Sequence, residues 1–488
     1  MPEYSPLAGG AEGPRALRPL LDTVLDALAE GAAARCGPLP AGGPEPVRRR
    51  LEAALGDPLP AEGAGEGPAL RALVTALAEG SADPADPHCA AHLHCPPLAV
   101  AAAADLAASV LNPSLDSWDQ APAASALEAR TAAALAALVH PRGPAPEALV
   151  TSGATEANLL GTLLARERLG HRLRVICGAS AHHSVHRAAW LLGLHPPTVL
   201  PTPGGVLDPA AAHEALDRLD RLDPAPGDPL PALVVATAGT TDSGAIDPLP
   251  ALADTVAAHR THRPAVLHVD AAYGGPLLFS PARRGLLAGL DRADSVALDL
   301  HKLGWQPVAA GLLTVPDAPA LAPLAHRTDY LNAEDDTEAG LPDLLGRSLR
   351  TTRRPDVLKV AVTLAALGTS GLAALIDATC EAAAELAALV DAEPRLRLRA
   401  RPGISTVLFR PAGATDAEVA ALRRRLLEGG RAVLGRARLD GTLWLKATLL
   451  NPHVQPSDLA ALVKLVLDQL DGPARPGPRP DQPEGSPT

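Results

Sequence analysis

Apolar residues recur along this chain with two periods, and the change from one to the other sets the expected fold. Near the N-terminus Leu17, Leu20, Leu21, Val24, Leu25 and Leu28 return every three or four residues. That spacing predicts an amphipathic helix with a stripe to bury. Residues 51–78 predict further helix, interrupted by the Pro/Gly-rich stretch DPLPAEGAGEGP. From about residue 147 short continuous apolar runs take over: ALVT, RLRVIC, ALVVAT, PAVLHVDA, SVALDL and AAGLLTV. Between them lie polar turns and helical segments, such as the one carrying Leu159, Leu160, Leu163 and Leu164. Buried strands alternating with helices imply βαβ units, a mainly parallel sheet and a ligand site at the strands' carboxyl ends. Residues 326–359 show little apolar periodicity before Leu344 and predict a long mobile loop, a length that in a compact domain implies function. Residues 356–394 read as helix, STVLFR and TLWLKATLL as strands of a smaller domain, and DLAALVKLVLDQL as its closing helix.

This pattern divides the chain into a helical segment (1–80), a large α/β domain (81–345), a small α+β domain (346–471) and a Pro-rich tail (472–488) expected to be disordered. Composition fits: apolar residues make up 47% and charged residues 20% of 488, enough for two or three globular cores. Aromatics are only 2%, so Leu, Ala and Val must fill those cores. A formal charge of −12 with no compensating basic stripe argues against a nucleic-acid partner. The five cysteines, 36, 89, 95, 177 and 380, are odd in number and scattered, which suits a reducing compartment rather than a disulfide framework. The N-terminus lacks the pattern of a signal peptide, and the apolar stretch 98–111 is too short to span a bilayer. A soluble cytoplasmic protein with no membrane partner is expected.

Candidate chemistry concentrates in residues 267–305. One apolar run delivers Asp270 to a strand end, and a second delivers His301 and Lys302. An acid and a lysine at the ends of two buried strands suit pyridoxal 5′-phosphate (PLP), which needs a Schiff-base lysine and an acidic partner for its pyridinium. Taken singly, Asp270 reads equally as a turn residue and Lys302 as a solvated charge. The turn TSGATEAN feeds a helix N-terminus, whose free N–H groups and dipole can hold a phosphate, as any such terminus can. PHCAAHLHCPP carries five potential metal ligands, His88, Cys89, His92, His94 and Cys95, but their spacing matches no usual zinc pattern.

VDAAYGG followed by DLHK, with TSGATEANL, AHHSV, VATAGTTDSGAIDPL and NPSLDSWDQAPA in the same order, resembles the group II PLP-dependent amino-acid decarboxylases, from about Pro87 to Leu467. The resemblance implies the fold-type I PLP architecture, a homodimer with N-terminal helices packed on the partner subunit, and α-decarboxylation of an L-amino acid. It implies that Lys302 takes the cofactor's aldehyde, Asp270 keeps the ring nitrogen protonated, and His182 stacks on the ring and orients the substrate carboxylate. Ala154 and Thr155 would hold the phosphate and Thr241 would lie near the phenolic oxygen, with Ala272 and His301 completing the cofactor site. His92, His94 and Trp118 would line the substrate side. No metal is implied.

The chain also departs from the family. Ala90-Ala91 stand where a Phe pair is usual, no tyrosine follows Tyr330 in the predicted lid, and Arg353-Arg354-Pro355 replaces RRF. DSWDQ, HKLGWQP and TLLNP are most similar to the diaminobutyrate and siderophore-associated branch, which implies a cationic diamino acid such as 2,4-diaminobutyrate, ornithine or lysine. The acidic run Glu334, Asp335, Asp336 and Glu338 could attract such a side chain, although charge runs in loops are usually only solvated. The competing readings are an aromatic-amino-acid decarboxylase, an aldehyde synthase on the same site, a weakly active PLP-binding relative, and a zinc-binding module at 88–95.

Overall fold

The computed structural model describes residues 5–222, 229–325, 331 and 333–471; the tail from 472 and Tyr330 lie outside them. Three helices open the chain: α1 (Gly13–Arg35), α2 (Pro44–Leu55) and α3 (Glu66–Gly80). Prolines occupy the first turn of α1 and α2, where a missing N–H leaves no bond unmade. α1 lies along α3 so closely that a Cβ on Gly31 would fall 2.6 Å from the Thr75 carbonyl oxygen. Of the predicted stripe, Leu17, Leu20, Leu21 and Val24 are half-buried, whereas Leu25 and Leu28 stay exposed.

After a two-residue strand β1 (Cys89–Ala90) and helices α4 (Ala99–Leu111) and α5 (Pro122–Val139) comes the main α/β unit. It runs β2 (Glu147–Thr151), α6 (Ala154–Leu169), β3 (Arg174–Gly178), α7 (Ser184–Leu191), β4 (Thr198–Leu200), α8 (Pro209–Leu222), β5 (Ala232–Thr237), α9 (Leu249–His259), β6 (Ala265–Asp270), β7 (Ser295–Asp299) and β8 (Gly311–Val315). The seven strands form one sheet in the order β2-β8-β7-β6-β5-β3-β4, all running the same way except β8. Every residue of β5, β6, β7 and β8 is buried, which is why these strands read as unbroken apolar runs: helices cover both faces. Val234 and Ala236 point into a core shared with α5, α8 and α9. Leu233 and Val235 point the other way, toward α6 and α7.

The predicted loop is only partly loose. Residues 334–338 form a short helix, α10 (Glu334–Glu338). From Leu344 the segment is pinned, because Arg353 makes a fully buried, two-pronged ion pair with Glu128 of α5, both contacts 2.6 Å. Next comes α11 (Val357–Ala392), which breaks at Gly368, a residue at φ 63°. By length and composition α11 could cross a membrane. Its buried positions instead enter two cores, Val357 to Cys380 the main one and Ala383 to Val390 the second.

The second core lies under β9 (Leu396–Leu398), β10 (Thr406–Pro411), α12 (Asp416–Glu428), β11 (Val433–Leu439), β12 (Thr442–Thr448) and α13 (Pro456–Asp471). Asp440 and Gly441, both with positive φ, supply the two-residue hairpin between β11 and β12. The sheet order is β1-β11-β12-β10-β9, with β1 parallel to β11, so residues 89–90 belong to this sheet and not to the large one. Several polar ties join the two units, among them those of Tyr273, Trp305 and Lys446. The Tyr273 hydroxyl lies 2.8 Å from Ser405 Oγ and 3.0 Å from Thr406 Oγ1, Trp305 Nε1–H donates to the Leu450 carbonyl, and Lys446 Nζ donates to the Thr241 carbonyl.

Candidate active site

The carboxyl ends of the parallel strands face a cavity of about 270 Å³, and each strand end delivers part of its lining. At the end of β2, residues 152–155 turn into α6 and line one side. The antiparallel strand β8 begins at the same level, with Gly311 opposite both Thr151 and Asp299. A Cβ on Gly311 would lie 2.4 Å from Gly153 Cα, so only glycine lets the turn and the strand approach.

β7 ends on Asp299, which is almost fully buried and holds the lysine. Lys302 Nζ lies 2.8 Å from Asp299 Oδ2, and Asp299 Oδ1 accepts the Ala154 N–H at 2.7 Å. An acid at the positive end of α6 is electrostatically well placed. His301 also lines the cavity, 3.4 Å from Asp299, and burial lowers its pKa.

On the neighbouring strand β6, Asp270 is buried yet lines the same cavity. It accepts Asn158 Nδ2–H on Oδ2 at 2.8 Å and the Ala272 N–H on Oδ1 at 3.1 Å, two bonds that fix its orientation. His182, between β3 and α7, accepts the Ser184 backbone N–H on Nδ1 at 3.3 Å. A backbone N–H can only donate, so in the neutral ring Nε2 carries the proton. Burial lowers the pKa of His182, more than the facing carboxylate of Asp270 raises it. Thr241 lines the cavity from the turn after β5, its carbonyl held by Lys446.

The structure therefore brings Ala154, Thr155, His182, Thr241, Asp270, Ala272, His301 and Lys302 to one cavity. It does not bring His92, His94 or Trp118 there. Along residues 91–95, which bend rather than extend, burial alternates: Ala91, Leu93 and Cys95 turn inward, and the two histidines are exposed. Leu93 lines the cavity in their place, and Trp118 is 37% exposed on a turn beyond it. The same alternation pulls the cluster of potential metal ligands apart. Cys95 donates its S–H to the His301 carbonyl, and burial pushes its thiol up to about 12 and that of Cys89 to about 11. Among the described residues the His, Cys and carboxylate atoms close enough to share an ion are those of His213, Asp217 and His259, on α8 and α9.

Sequence reasoning missed Asp299 and Asn158. The first stands three residues before Lys302, and the second lies one helical turn after Ala154 on the face that packs toward β6.

Residues 69–412 match the model of the pyridoxal-dependent decarboxylase conserved domain. The chain is 40% identical to an L-2,4-diaminobutyrate decarboxylase of Rhizobium meliloti (strain 1021), covering 86% of this chain and 84% of that protein. It is 31% identical to an L-2,4-diaminobutyrate decarboxylase of Acinetobacter baumannii, covering 84% and 85%. Among solved structures, the glutamate decarboxylase domain of a diaminobutyrate-pyruvate transaminase and L-2,4-diaminobutyrate decarboxylase from Vibrio parahaemolyticus superposes with a TM-score of 0.82 at 28% identity, over 95% of this chain and 97% of that one. Oryza sativa TDC, solved with PLP and tryptamine, gives a TM-score of 0.84 at 25% identity, over 96% and 99%.

Proposed function

The chain belongs to the pyridoxal-dependent decarboxylases, fold-type I enzymes whose cofactor is PLP, and from that premise we propose that it takes an L-2,4-diamino acid and releases CO2 and a diamine. The carrying observation is that Lys302, in the turn after β7, and Asp270, at the end of the adjacent parallel strand β6, face one cavity with His182 between β3 and α7. The donor set fits the cofactor. One end offers the α6 N-terminus and Thr155 to a phosphate. The other offers an ionised carboxylate to a protonated ring nitrogen, and a single lysine lies within the lining.

Bound there, the cofactor supplies an electron-accepting ring. The protein's residues do the rest. Asp270 pairs with the ring nitrogen and favours its charged form. Asp299 keeps Lys302 Nζ aimed into the cavity, and residues 152–155 anchor the phosphate. His182 would stack on the ring and present Nε2–H to the substrate carboxylate, orienting the bond to be broken.

The diamino-acid assignment is supported by the two relatives of that name and by the acidic run on exposed α10. We also propose a cytoplasmic homodimer. Five cysteines without disulfides and the exposed Leu25, Leu28, Leu51, Leu55 and Leu77 of α1–α3 support it. The test is amine release from diaminobutyrate, ornithine, lysine, tyrosine, tryptophan and glutamate, with the highest kcat/KM expected for diaminobutyrate. Higher values for tyrosine or tryptophan than for every diamino acid would overturn the substrate. Borohydride should fix the cofactor on Lys302, and a label on Lys359 or Lys446 would reject that residue.

A further inference from the structure

Behind the cavity a chain of buried polar groups runs through the protein without reaching solvent. His268 of β6 is 1% exposed, and so are Asn158 of α6 and Ser184 at the start of α7. His268 Nδ1 lies 2.8 Å from Ser295 Oγ, and its Nε2 lies 2.8 Å from Asn158 Oδ1. Asn158 Nδ2 lies 2.8 Å from Asp270 Oδ2 and 2.9 Å from Ser184 Oγ, and Ser184 Oγ lies 2.9 Å from His182 Nδ1.

The chemistry leaves one consistent direction for the protons. An ionised carboxylate only accepts, so the Asn158 amide nitrogen must face Asp270 and its oxygen must face His268. His268 then carries its proton on Nε2 and accepts from Ser295 on Nδ1. The second Asn158 N–H goes to Ser184 Oγ, whose own proton goes to His182 Nδ1. Every donor has one acceptor, and the sequence of bonds ends on the two groups assigned to the cofactor ring and the substrate carboxylate.

The fold makes room for this arrangement. Gly161, one turn along α6 from Asn158, lies so close to the imidazole that a Cβ there would be 2.7 Å from His268 Cε1 and Nδ1. Burial lowers the His268 pKa to about 4, which keeps the ring neutral and its single N–H directed.

Building on the roles proposed above for Asp270 and His182, we infer that Asn158, oriented by His268, is a positioning residue that sets both at once. Its first N–H holds Asp270 Oδ2, so that the carboxylate stays aimed at the place of the cofactor nitrogen. Its second, through the Ser184 hydroxyl, adds a donor to His182 Nδ1 beside the Ser184 backbone N–H and so steadies the ring with which His182 meets the substrate.

The test loads the full chain with PLP labelled with 15N in its ring and reads the nitrogen shift beside kcat and KM. Wild type should show a protonated ring and Asp270→Asn an unprotonated one. Asn158→Leu, of similar volume, removes the N–H that holds the Asp270 carboxylate toward the ring. The nitrogen signal should move toward that of Asp270→Asn, with kcat falling on the order of 10–100-fold, as when partners that orient a reactive group are lost. Ser184→Ala cuts only the branch to His182, so it should leave the nitrogen signal in place while raising KM. His268→Leu should shift the signal partway, and His268→Gln, which restores an N–H toward Asn158, should return it.

An Asn158→Leu protein with cofactor bound, a wild-type nitrogen signal and kcat within twofold would overturn the relay, even if its Tm had dropped. A nitrogen signal displaced by Ser184→Ala would overturn the two-branch form. If instead wild type and Asp270→Asn give the same signal, the role of Asp270 itself fails, and the relay with it.

Discussion

The His268 imidazole is wholly enclosed, and its pKa of about 4 makes it a handle on stability as well as on the site. An unfolded histidine titrates near 6.5, so as pH falls from there toward 4 the unfolded chain takes up a proton that the folded protein refuses. Stability is therefore full above about pH 6.5 and drains away through that window, by about 2 kcal/mol between pH 7 and pH 5. In His268→Gln this part of the loss should vanish. Urea unfolding of both proteins at the two pH values checks it, and equal losses would show that His268 is not the group responsible. At this scale the residues legible in sequence were those with unusual chemistry in a motif, such as Lys302 and Asp270. Asn158 was not legible, because an asparagine inside a helix announces nothing until the fold sets it against Asp270. His92 and His94 show the converse: their residue type suggests a site, whereas both are exposed in the bent segment 91–95.

Single side chains work here because elements hold them in register. The antiparallel strand β8 begins where β2 and β7 end, and Gly311 is the residue at which three backbone segments meet. Gly311→Ala would drive a methyl group against Gly153 and the Thr151 hydroxyl, 2.5 Å away, and should destabilise the fold by about 1–3 kcal/mol. Since Gly153 opens the turn proposed to anchor the phosphate, PLP affinity should fall in the same variant. Equilibrium dialysis alongside urea unfolding checks both, and unaltered affinity would separate the turn from the cofactor. On the other flank, Arg353→Ala leaves Glu128 buried and uncompensated, an expected loss of about 3–5 kcal/mol by urea unfolding. A loss under 1 kcal/mol would mean that solvent reaches the carboxylate. The sheet of the main unit was readable because strands covered on both faces need unbroken apolar runs. β11 was harder, since VLGRARL exposes Arg436 and Arg438 on its outer face, and β1 is too short to carry a period.

Across the whole molecule, α11 contributes its first half to one core and its second half to the other, while Tyr273, Trp305 and Lys446 tie cofactor-side loops to the smaller sheet. The two units should therefore melt as one. Calorimetry of the PLP-loaded protein should give a single transition, and two well-separated peaks would show that these ties are weak. The division into two sheets could be anticipated from the chain, but the partner of β1 could not. Cys89 pairs with Val433, 344 positions further along. At a synthesis rate of about 5–20 residues per second, β1 waits roughly 17–70 s for the strand that receives it. For that interval β1 is a nascent strand without its template, and a ribosome stalled before β11 would display the main sheet with its cavity still open on the side that Leu93 lines.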